Sequence, residues 1–395
     1  MQEVVVVAAA RTPFGLYKGI LGDQRCQDLA ANSMKEAVAR SGIDSAEYDA
    51  SIYSEAVQTA LPANVGRHAW LLTGMSEDPA GFTMNTLCAG AIQSMFSAYN
   101  KIALGEYQLF LTGGVETSTQ APYYLVHPRY EFGPQSQVFH DQKVEAQTNA
   151  QPNDIYGELT LATLADIIAY NNGISRLAID EYVVASKDKA AAAAKNGVMK
   201  EVLSNYVKKT RKGEVVVDSD EGVKNTVALD ALMGLPSINY CGTASDGNIA
   251  PLADGSGSVV LASAEKAKAA GAKVWAKVAG FGIAAGNPTI IERTAYNSIQ
   301  KALKTAGISA KDVDFFDIHE QSGAFAIAVA NLLGADASGK INVDGGSLAY
   351  GHAGAATGAA LVTNMVYRLE RTKAKVGVVN VVAYGGQALT VVLKK

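Results

Sequence analysis

The stretch that decides the fold runs from Asn85 to Ala91 and reads NTLCAGA. It leads into an apolar run, residues 89–103, whose hydrophobic positions recur close to every 3.6 residues, and Gly105 closes that run. The pattern predicts a helix with Cys88 at its N-terminus. There the helix dipole and the free backbone N–H groups favour the thiolate, the form of cysteine that attacks carbonyl carbons. Cys88 is therefore a candidate nucleophile, and the alternative is a small buried hydrophobic residue.

A glycine-rich segment near the C-terminus carries a candidate base for that nucleophile. Residues 345–358 read GGSLAYGHAGAATG and lead into a second alanine-rich helix, predicted over residues 359–369. Small residues let a backbone pass close to a ligand or to a neighbouring helix. We therefore expect His352 to approach Cys88 and take its proton, as Cys–His catalysis requires. The alternative is a histidine held by local hydrogen bonds in a turn.

These two segments belong to a set of five that resembles the thiolase family over nearly the whole chain. The set consists of AAARTPFG at 8–15, NTLCAG at 85–90, GGVETS at 113–118 with APY at 121–123, GTASDGN at 242–248, and the His352 loop, in which Ala353 replaces the family's proline. Five matches in the family's order and at family-like spacing are a strong signal. The resemblance implies an acyltransferase with Cys88 as nucleophile and His352 as general base.

Strands and helices alternate in two similar halves, which predicts an α/β protein with parallel-rich sheets covered by helices. The predicted elements are strand 4–8, helix 25–41, the Cys88 helix and strand 108–112 in the first half, then strand 273–279, helix 295–306, strand 315–318, the His352 helix and strands 376–382 and 388–394.

The resemblance implies a thiolase-like five-layer α-β-α-β-α sandwich of two similar halves with an inserted loop domain. Residues 1–119 plus 249–270 form the N-terminal half, which carries Cys88, and residues 271–395 form the C-terminal half, which carries His319 and His352. Residues 120–248 are the loop domain that shapes the acyl and coenzyme A site. Within it we expect a polar stretch at 134–154 and helices at 159–170 and 179–196.

A third motif, HEQSG at 319–323, follows the predicted strand 315–318, and active-site residues commonly follow the carboxyl ends of such strands. By resemblance, His319 takes the place of the thiolase Asn or His that helps bind the thioester oxygen, where it stabilises the developing negative charge. The alternative is a histidine satisfied in the core. Glu320 matches the family's glutamate, which we interpret as orienting its neighbours.

The second catalytic cysteine of most thiolases is missing. The resemblance places Val382 at its usual position and Gln321 at the other known position, and neither side chain transfers a proton. General acid–base help is typically worth ~10²–10⁴-fold in rate, so this departure puts ordinary thiolysis in doubt unless another group substitutes. The candidate substitutes are Cys241, Tyr384, Glu320 and His319.

Two further positions concern the binding of the substrate. In the family, two backbone N–H groups hold the oxygen of the acyl enzyme, and the resemblance assigns them to Cys88 and Tyr384. A tyrosine where glycine is expected alters the loop conformation or fills part of the pocket. Ala250 stands where a family serine often contacts pantetheine, so that single contact to coenzyme A is in doubt.

Composition narrows the class of protein. The chain has 395 residues, a net charge of −4 and 18% charged residues, below the typical ~25%. Much surface is therefore expected in a subunit interface, and the resemblance implies a homodimer or homotetramer. Nucleic-acid binding, membrane spanning and a bound metal are not expected. Three cysteines favour a reduced compartment, and a cytoplasmic location is expected.

Three hypotheses follow for the function. The first is a thiolase-type acyltransferase that forms or cleaves a 3-oxoacyl-CoA, with coenzyme A or acyl-CoA as substrate and no permanently bound cofactor. The second is a Claisen-type condensing enzyme of the same superfamily that uses an activated donor. The third is a non-catalytic acyl-CoA-binding subunit, since fold does not fix function. An accessory protein subunit that supplies the missing proton shuttle is a further alternative.

Overall fold

The structure is a computed structural model that describes residues 1–126, 137–224 and 226–395. The first part of the chain alternates strands with helices, and its first strand is buried along its whole length. Its elements are β1 (Val4–Arg11), β2 (Gly15–Leu16), α1 (Cys26–Ser41), β3 (Ala50–Ser54), α2 (Val65–Leu72), β4 (Ala80–Met84), α3 (Gly90–Ala103) and β5 (Leu109–Thr117).

The middle of the chain consists of two small hairpins and several helices. Of the polar stretch predicted at 134–154, residues 134–136 lie outside the described residues. The elements here are β6 (Tyr123–Tyr124), β7 (His140–Asp141), α4 (Gln142–Thr148), α5 (Asn153–Tyr156), α6 (Leu161–Asn172), α7 (Arg176–Lys195), β8 (Tyr206–Thr210), β9 (Gly213–Val217) and α8 (Leu229–Met233).

The last part of the chain returns to alternating strands and helices. Its elements are β10 (Ala253–Ser263), α9 (Ala264–Ala269), β11 (Ala276–Ala285), α10 (Ile291–Ala306), β12 (Phe315–Ile318), α11 (Gly323–Leu333), α12 (Ser347–Tyr350), α13 (Thr357–Thr372), β13 (Val376–Ala383) and β14 (Gln387–Lys394).

The main strands follow the order β12-β13-β14-β11-β1-β10-β5-β3-β4, with β2 paired to β10. The prediction of parallel-rich sheets is wrong. Only the pairs β12–β13, β3–β4 and β3–β5 are parallel among the described strands, and the central pairs are antiparallel. The reason is visible at β13 and β14, because a three-residue turn joins them and so short a connection permits only antiparallel pairing.

The three largest hydrophobic clusters hold five layers together. One cluster joins α1 and α2 to strands of the first half, and another joins α10 and α11 to strands of the second half. The third and largest lies between the two sets of strands and contains α3 and α13. The order is therefore helices, sheet, helices, sheet, helices, and the predicted five-layer sandwich of the α/β class is confirmed.

The central helix layer positions the site. Helices α3 and α13 pack against each other there, and Gly358 allows a close approach, since a Cβ at this position would lie 3.0 Å from Ile92 Cγ1. The loop before α3 carries Cys88, and the loop before α13 carries His352. Across the described residues, no helix combines the length and apolar character that crossing a membrane requires.

Candidate active site

Cys88 lies in the loop between β4 and α3, two residues before the helix begins, and only 8% of it is exposed. The loop turns sharply at Leu87, whose φ of 51° lies in the left-handed region, which is uncommon for residues other than glycine. The side-chain oxygen of Asn85 accepts a hydrogen bond from the Leu87 N–H at 2.8 Å and supports this turn. The turn places Cys88 in the wall of a pocket.

That pocket receives side chains from both halves of the sandwich and from the middle segment of the chain. It contains Cys88, His319 and His352 together. Helices α4 and α6 contribute Lys143, Ala146, Gln147 and Leu161 to its wall. The structure therefore brings together the three polar residues singled out in the sequence, and it adds lining residues from α4 and α6 that were not predicted.

His352 is held on both ring nitrogens. Its Nε2 lies 3.1 Å from Cys88 Sγ, and its Nδ1 lies 2.8 Å from Thr357 Oγ1. The loop backbone is fixed as well, because the His352 N–H donates to the Pro251 carbonyl at 2.8 Å. With the Nδ1 proton donated to Thr357, Nε2 is free to accept the thiol proton. Thr357 stands at the start of α13, five residues after the histidine, and this position is the sequence signal from which the hydrogen bond could have been predicted.

Burial sets the charge of this pair. It raises the pKa of the Cys88 thiol to about 12, and the nearby Glu116 carboxylate adds to the rise. Burial also lowers the pKa of His352 well below its ordinary value. The expectation of a thiolate is wrong for the resting site, because a helix terminus typically contributes only about 0.3–1 kcal/mol and desolvation outweighs it here. At rest, the pair is therefore a protonated thiol beside a neutral imidazole.

His319 follows β12, as predicted, and its ring stacks near that of His352 with 4.2 Å between the ring centroids. It is 1% exposed, its ring lies near the Val382 backbone, and neither ring nitrogen makes a hydrogen bond of good geometry within the described part of the chain. Burial lowers the pKa of His319 to about 4, so the ring is neutral. A buried N–H without a partner is costly, and an oxygen of a bound ligand would satisfy it.

Tyr384 stands at the start of the turn between β13 and β14 and lines the pocket beside Cys88. Its hydroxyl lies 3.4 Å from Gln147 Oε1, so the side chain reaches across to α4 and fills part of the pocket. The backbone N–H groups of Cys88 and Tyr384 donate to no backbone carbonyl among the described residues. Both donors are therefore available to a ligand oxygen.

The two positions of the missing proton shuttle lie in this pocket. Val382 and Gln321 both line it, and both are buried. Neither side chain titrates, so the departure inferred from the sequence is located at the reacting centre. The burial of Tyr384 raises the pKa of its phenol, which makes it a weaker acid than usual.

Two candidate substitutes for the shuttle lie elsewhere. Cys241 is exposed in a loop with φ of 56° and does not line the pocket, so the suggestion that it replaces the missing acid is wrong. Glu320 is fully buried, but its oxygens accept hydrogen bonds from Tyr182 at 2.9 Å and Ser186 at 2.8 Å, and it does not line the pocket. It is placed to hold the His319 loop against α7 rather than to protonate a substrate.

Ala250 is also outside the pocket lining. It is buried, and its N–H donates to the Gln321 carbonyl at 3.0 Å. Through this backbone hydrogen bond, Ala250 holds the loop that carries Gln321. Because Ala250 does not line the pocket, the pocket lining gives no support to the coenzyme A contact predicted at this position.

Glu116 belongs to the GGVETS motif at 113–118, and no role was predicted for it. It lines the pocket, and its oxygens accept hydrogen bonds from the N–H groups of Ala56, Val57 and Ala355 at 3.0–3.1 Å. Burial raises the pKa of Glu116 to about 7. The carboxylate thus ties the chain after β3 to the His352 loop. In the described ranges, no cluster of three or more His, Cys, Asp or Glu side chains is arranged to hold a metal ion.

Comparisons with known proteins agree with this geometry. The family model described as "Thiolase, N-terminal domain" matches residues 4–265, and "Thiolase, C-terminal domain" matches residues 272–395. A probable acetyl-CoA acyltransferase of Staphylococcus aureus (strain COL) is 30% identical over 100% of both chains. The crystal structure of the Bacillus anthracis acetyl-CoA acetyltransferase superposes with a TM-score of 0.95 at 29% identity, covering 100% of this chain and 99% of that one.

The human mitochondrial 3-ketoacyl-CoA thiolase, solved in complex with CoA, superposes with a TM-score of 0.93 at 29% identity and covers 100% of this chain and 98% of its own. The chain therefore belongs to the thiolase family, and it is an acyltransferase of the thiolase type.

Proposed function

We propose that this chain forms or cleaves a 3-oxoacyl-CoA by way of an acyl group carried on Cys88. The observation that carries the proposal is the distance of 3.1 Å between Cys88 Sγ and His352 Nε2 in the wall of one pocket. The complex of the human relative with CoA supports CoA thioesters as the substrates. No permanently bound cofactor enters the proposal.

In the cleavage direction, Cys88 Sγ attacks the 3-oxo carbon while His352 Nε2 takes the thiol proton. The backbone N–H groups of Cys88 and Tyr384, with His319 beside them, face the oxygen on which negative charge develops. The bond between the α-carbon and the 3-oxo carbon then breaks, and the departing acetyl-CoA carbanion takes the proton that His352 received. Free CoA next donates its thiol proton to His352, and its sulfur attacks the acyl carbon; the bond to Cys88 breaks, and the departing thiolate takes the proton back from His352.

This route uses His352 as both base and acid because Val382 and Gln321 leave the pocket without the usual cysteine. The same observation favours a second candidate, a condensing enzyme whose donor loses carbon dioxide and so needs no cysteine to remove an α-proton. The two candidates differ in their donors, since only the second requires malonyl-CoA.

The test follows the CoA-dependent disappearance of acetoacetyl-CoA and longer 3-oxoacyl-CoAs by absorbance, for the wild type and for Cys88→Ala. His68→Gln serves as the control, because His68 is an exposed histidine outside the site. Thiolysis that requires Cys88 but not His68 supports the proposal. Turnover with malonyl-CoA but not with acetyl-CoA would select the condensing enzyme. No turnover and no acyl adduct would leave the acyl-CoA-binding subunit.

A homodimer or homotetramer is also proposed, supported by strand β4 at the end of the sheet order. Phe82 on this strand and Leu71 and Leu72 on the adjacent helix α2 are exposed apolar side chains, as at a surface that a second subunit covers. Sedimentation equilibrium tests the subunit count. A cytoplasmic location is proposed as well, supported by the absence of disulfides among the cysteines of the described residues.

The segment 120–248 is proposed to act as a loop domain that shapes the acyl and coenzyme A site, between the halves 1–119 plus 249–270 and 271–395. The side chains that α4 and α6 contribute to the pocket support this role.

A further inference from the structure

Gln321 presents an unusual donor to the pocket. The residue is 6% exposed and lines the pocket with Cys88 and His319. Its Nε2 is buried and has no hydrogen-bond partner in the described parts of the chain. The position holds Ala or Cys in the family segments that this motif resembles, and neither side chain carries an amide. A buried amide donor without a partner lowers stability, so a ligand that pairs with it is favoured.

Lys143 brings a positive charge to the same pocket from α4. Its Nζ lies 4.7 Å from the centroid of the Tyr17 ring, which holds the ammonium group in a cation–π contact. No carboxylate of the described residues lies within ion-pair distance of this Nζ. The ammonium group therefore has no carboxylate partner among the described residues, and its side chain lines the pocket.

Apart from Lys143, the described residues of the pocket wall include no lysine or arginine. Glu116 also borders the pocket; three backbone N–H groups hold its carboxyl, and burial raises the pKa of Glu116 to about 7, which reduces the negative charge that an anion in the pocket would meet. Much of the rest is apolar and includes Leu87, Leu161, Leu252 and Val382. A hydrocarbon acyl chain would suit those walls, but it would leave Gln321 Nε2 unpaired and set methyl groups against the ammonium of Lys143.

Building on the proposed function, we infer that the acyl group bound here carries a carboxylate, so that the substrate is the CoA thioester of a 3-oxo dicarboxylic acid. The carboxylate accepts hydrogen bonds from the pocket donors, and the charge of Lys143 offsets its own. The phosphates of CoA are the other source of negative charge for this lysine, and the test separates the two.

The test compares kcat/KM for 3-oxoadipyl-CoA with that for 3-oxohexanoyl-CoA, and repeats the comparison with the eight-carbon pair. The variants are Lys143→Met and Gln321→Leu, with Lys212→Met as the control because Lys212 lies in an exposed hairpin turn. We expect the wild type to prefer the dicarboxylic thioesters by about tenfold or more. We expect Lys143→Met and Gln321→Leu each to remove most of that preference, measured as the ratio of the two kcat/KM values, and Lys212→Met to keep it.

Equal or better use of the hydrocarbon thioesters by the wild type would overturn the inference. So would a Lys143→Met variant that loses both substrate classes equally and binds free CoA more weakly, since Lys143 would then contact the CoA phosphates. Dissociation constants of both thioesters for Cys88→Ala give the same comparison without chemistry. If Cys88→Ala binds the dicarboxylic thioesters more tightly but the wild type turns over neither class, the inference is supported and the proposed function fails.

Discussion

Cys88 and His352 are separated by 264 positions in the chain, yet Sγ of one lies 3.1 Å from Nε2 of the other. Each residue belongs to a loop that leads into a helix of the central layer, α3 for Cys88 and α13 for His352. The packing of these two helices brings the loops together. The contact between these two side chains therefore exists only when both halves of the sandwich are folded against each other.

Thr357 positions the base, because its Oγ1 lies 2.8 Å from His352 Nδ1. Thr357→Val removes this partner and keeps the shape of the side chain. We expect kcat to fall about fivefold, which corresponds to the loss of a hydrogen bond worth about 1 kcal/mol, while KM stays unchanged. Thr357→Ser keeps the hydroxyl and should retain the wild-type rate. A serine variant as slow as the valine variant would show that packing, not the hydrogen bond, is at work.

The Cys88 thiol is expected to react as a buried, protonated thiol. Burial and Glu116 raise its pKa to about 12, so its thiolate fraction grows about tenfold for each pH unit between pH 7 and pH 9. Alkylation by iodoacetamide, followed on the Cys88 peptide in a Cys241→Ser background, should rise in the same proportion. A rate that levels off below pH 8 would contradict this and indicate a thiolate–imidazolium pair at rest.

Restoring the missing cysteine should speed thiolysis. Val382 is buried in the pocket wall, and Val382→Cys is a small change in volume at that place. If proton transfer to the leaving carbanion limits the wild type, kcat for acetoacetyl-CoA should rise, toward the ~10²–10⁴-fold that general acid–base help provides. Val382→Ala, which opens similar space without a thiol, is the control. An unchanged rate in the cysteine variant would mean that His352 already supplies the proton efficiently.

Glu55 makes stability depend on pH. Burial, with the neighbouring Glu116 carboxylate, raises the pKa of Glu55 to about 8. This carboxyl is neutral in the folded protein below that pH but ionised in the unfolded chain above pH ~4.5, so its contribution to stability is lost as pH rises from about 5 to 8.

Glu55→Gln removes this titration. Between pH 5 and pH 9, the free energy of unfolding of the wild type should therefore fall by about 4 kcal/mol more than that of the variant. Chemical denaturation at both pH values measures the difference, and Glu77→Gln, at an exposed position, is the control. Parallel pH profiles for all three proteins would show that Glu55 does not carry the effect.

Much of the fold could be predicted because its strands and helices are marked by hydrophobic pattern. Strand β12 was predicted at 315–318, where it lies, and the helix predicted at 25–41 begins one residue later. Strand β10 was missed, although every residue of it is buried. Its first half reads ADGSGS, which looks like a loop, and its serines are buried because Ser256 and Ser258 bond to Tyr53 and Ser33 across the layer. Hydrogen-bond partners that lie so far apart in the chain cannot be predicted from the local sequence.

The residues of the site also fall into two groups, those that the sequence predicts and those that it does not. Cys88, His319 and His352 could be found because each stands in a short motif at the end of a strand or the start of a helix. Glu116 could not, since its role depends on Ala355, which is 239 positions away. Lys143 faces the pocket only because α4 folds over it, and nothing in the sequence around it predicts that placement.

The most direct test of the account is the intact mass of the protein after reaction with acetoacetyl-CoA, followed by peptide mapping. We predict a mass increase of one acyl group on the peptide that contains Cys88, its absence in Cys88→Ala, and slow formation in His352→Gln, with His68→Gln behaving as the wild type. An acyl group on another residue, or an equal adduct in Cys88→Ala, would contradict the assignment of Cys88 as the nucleophile.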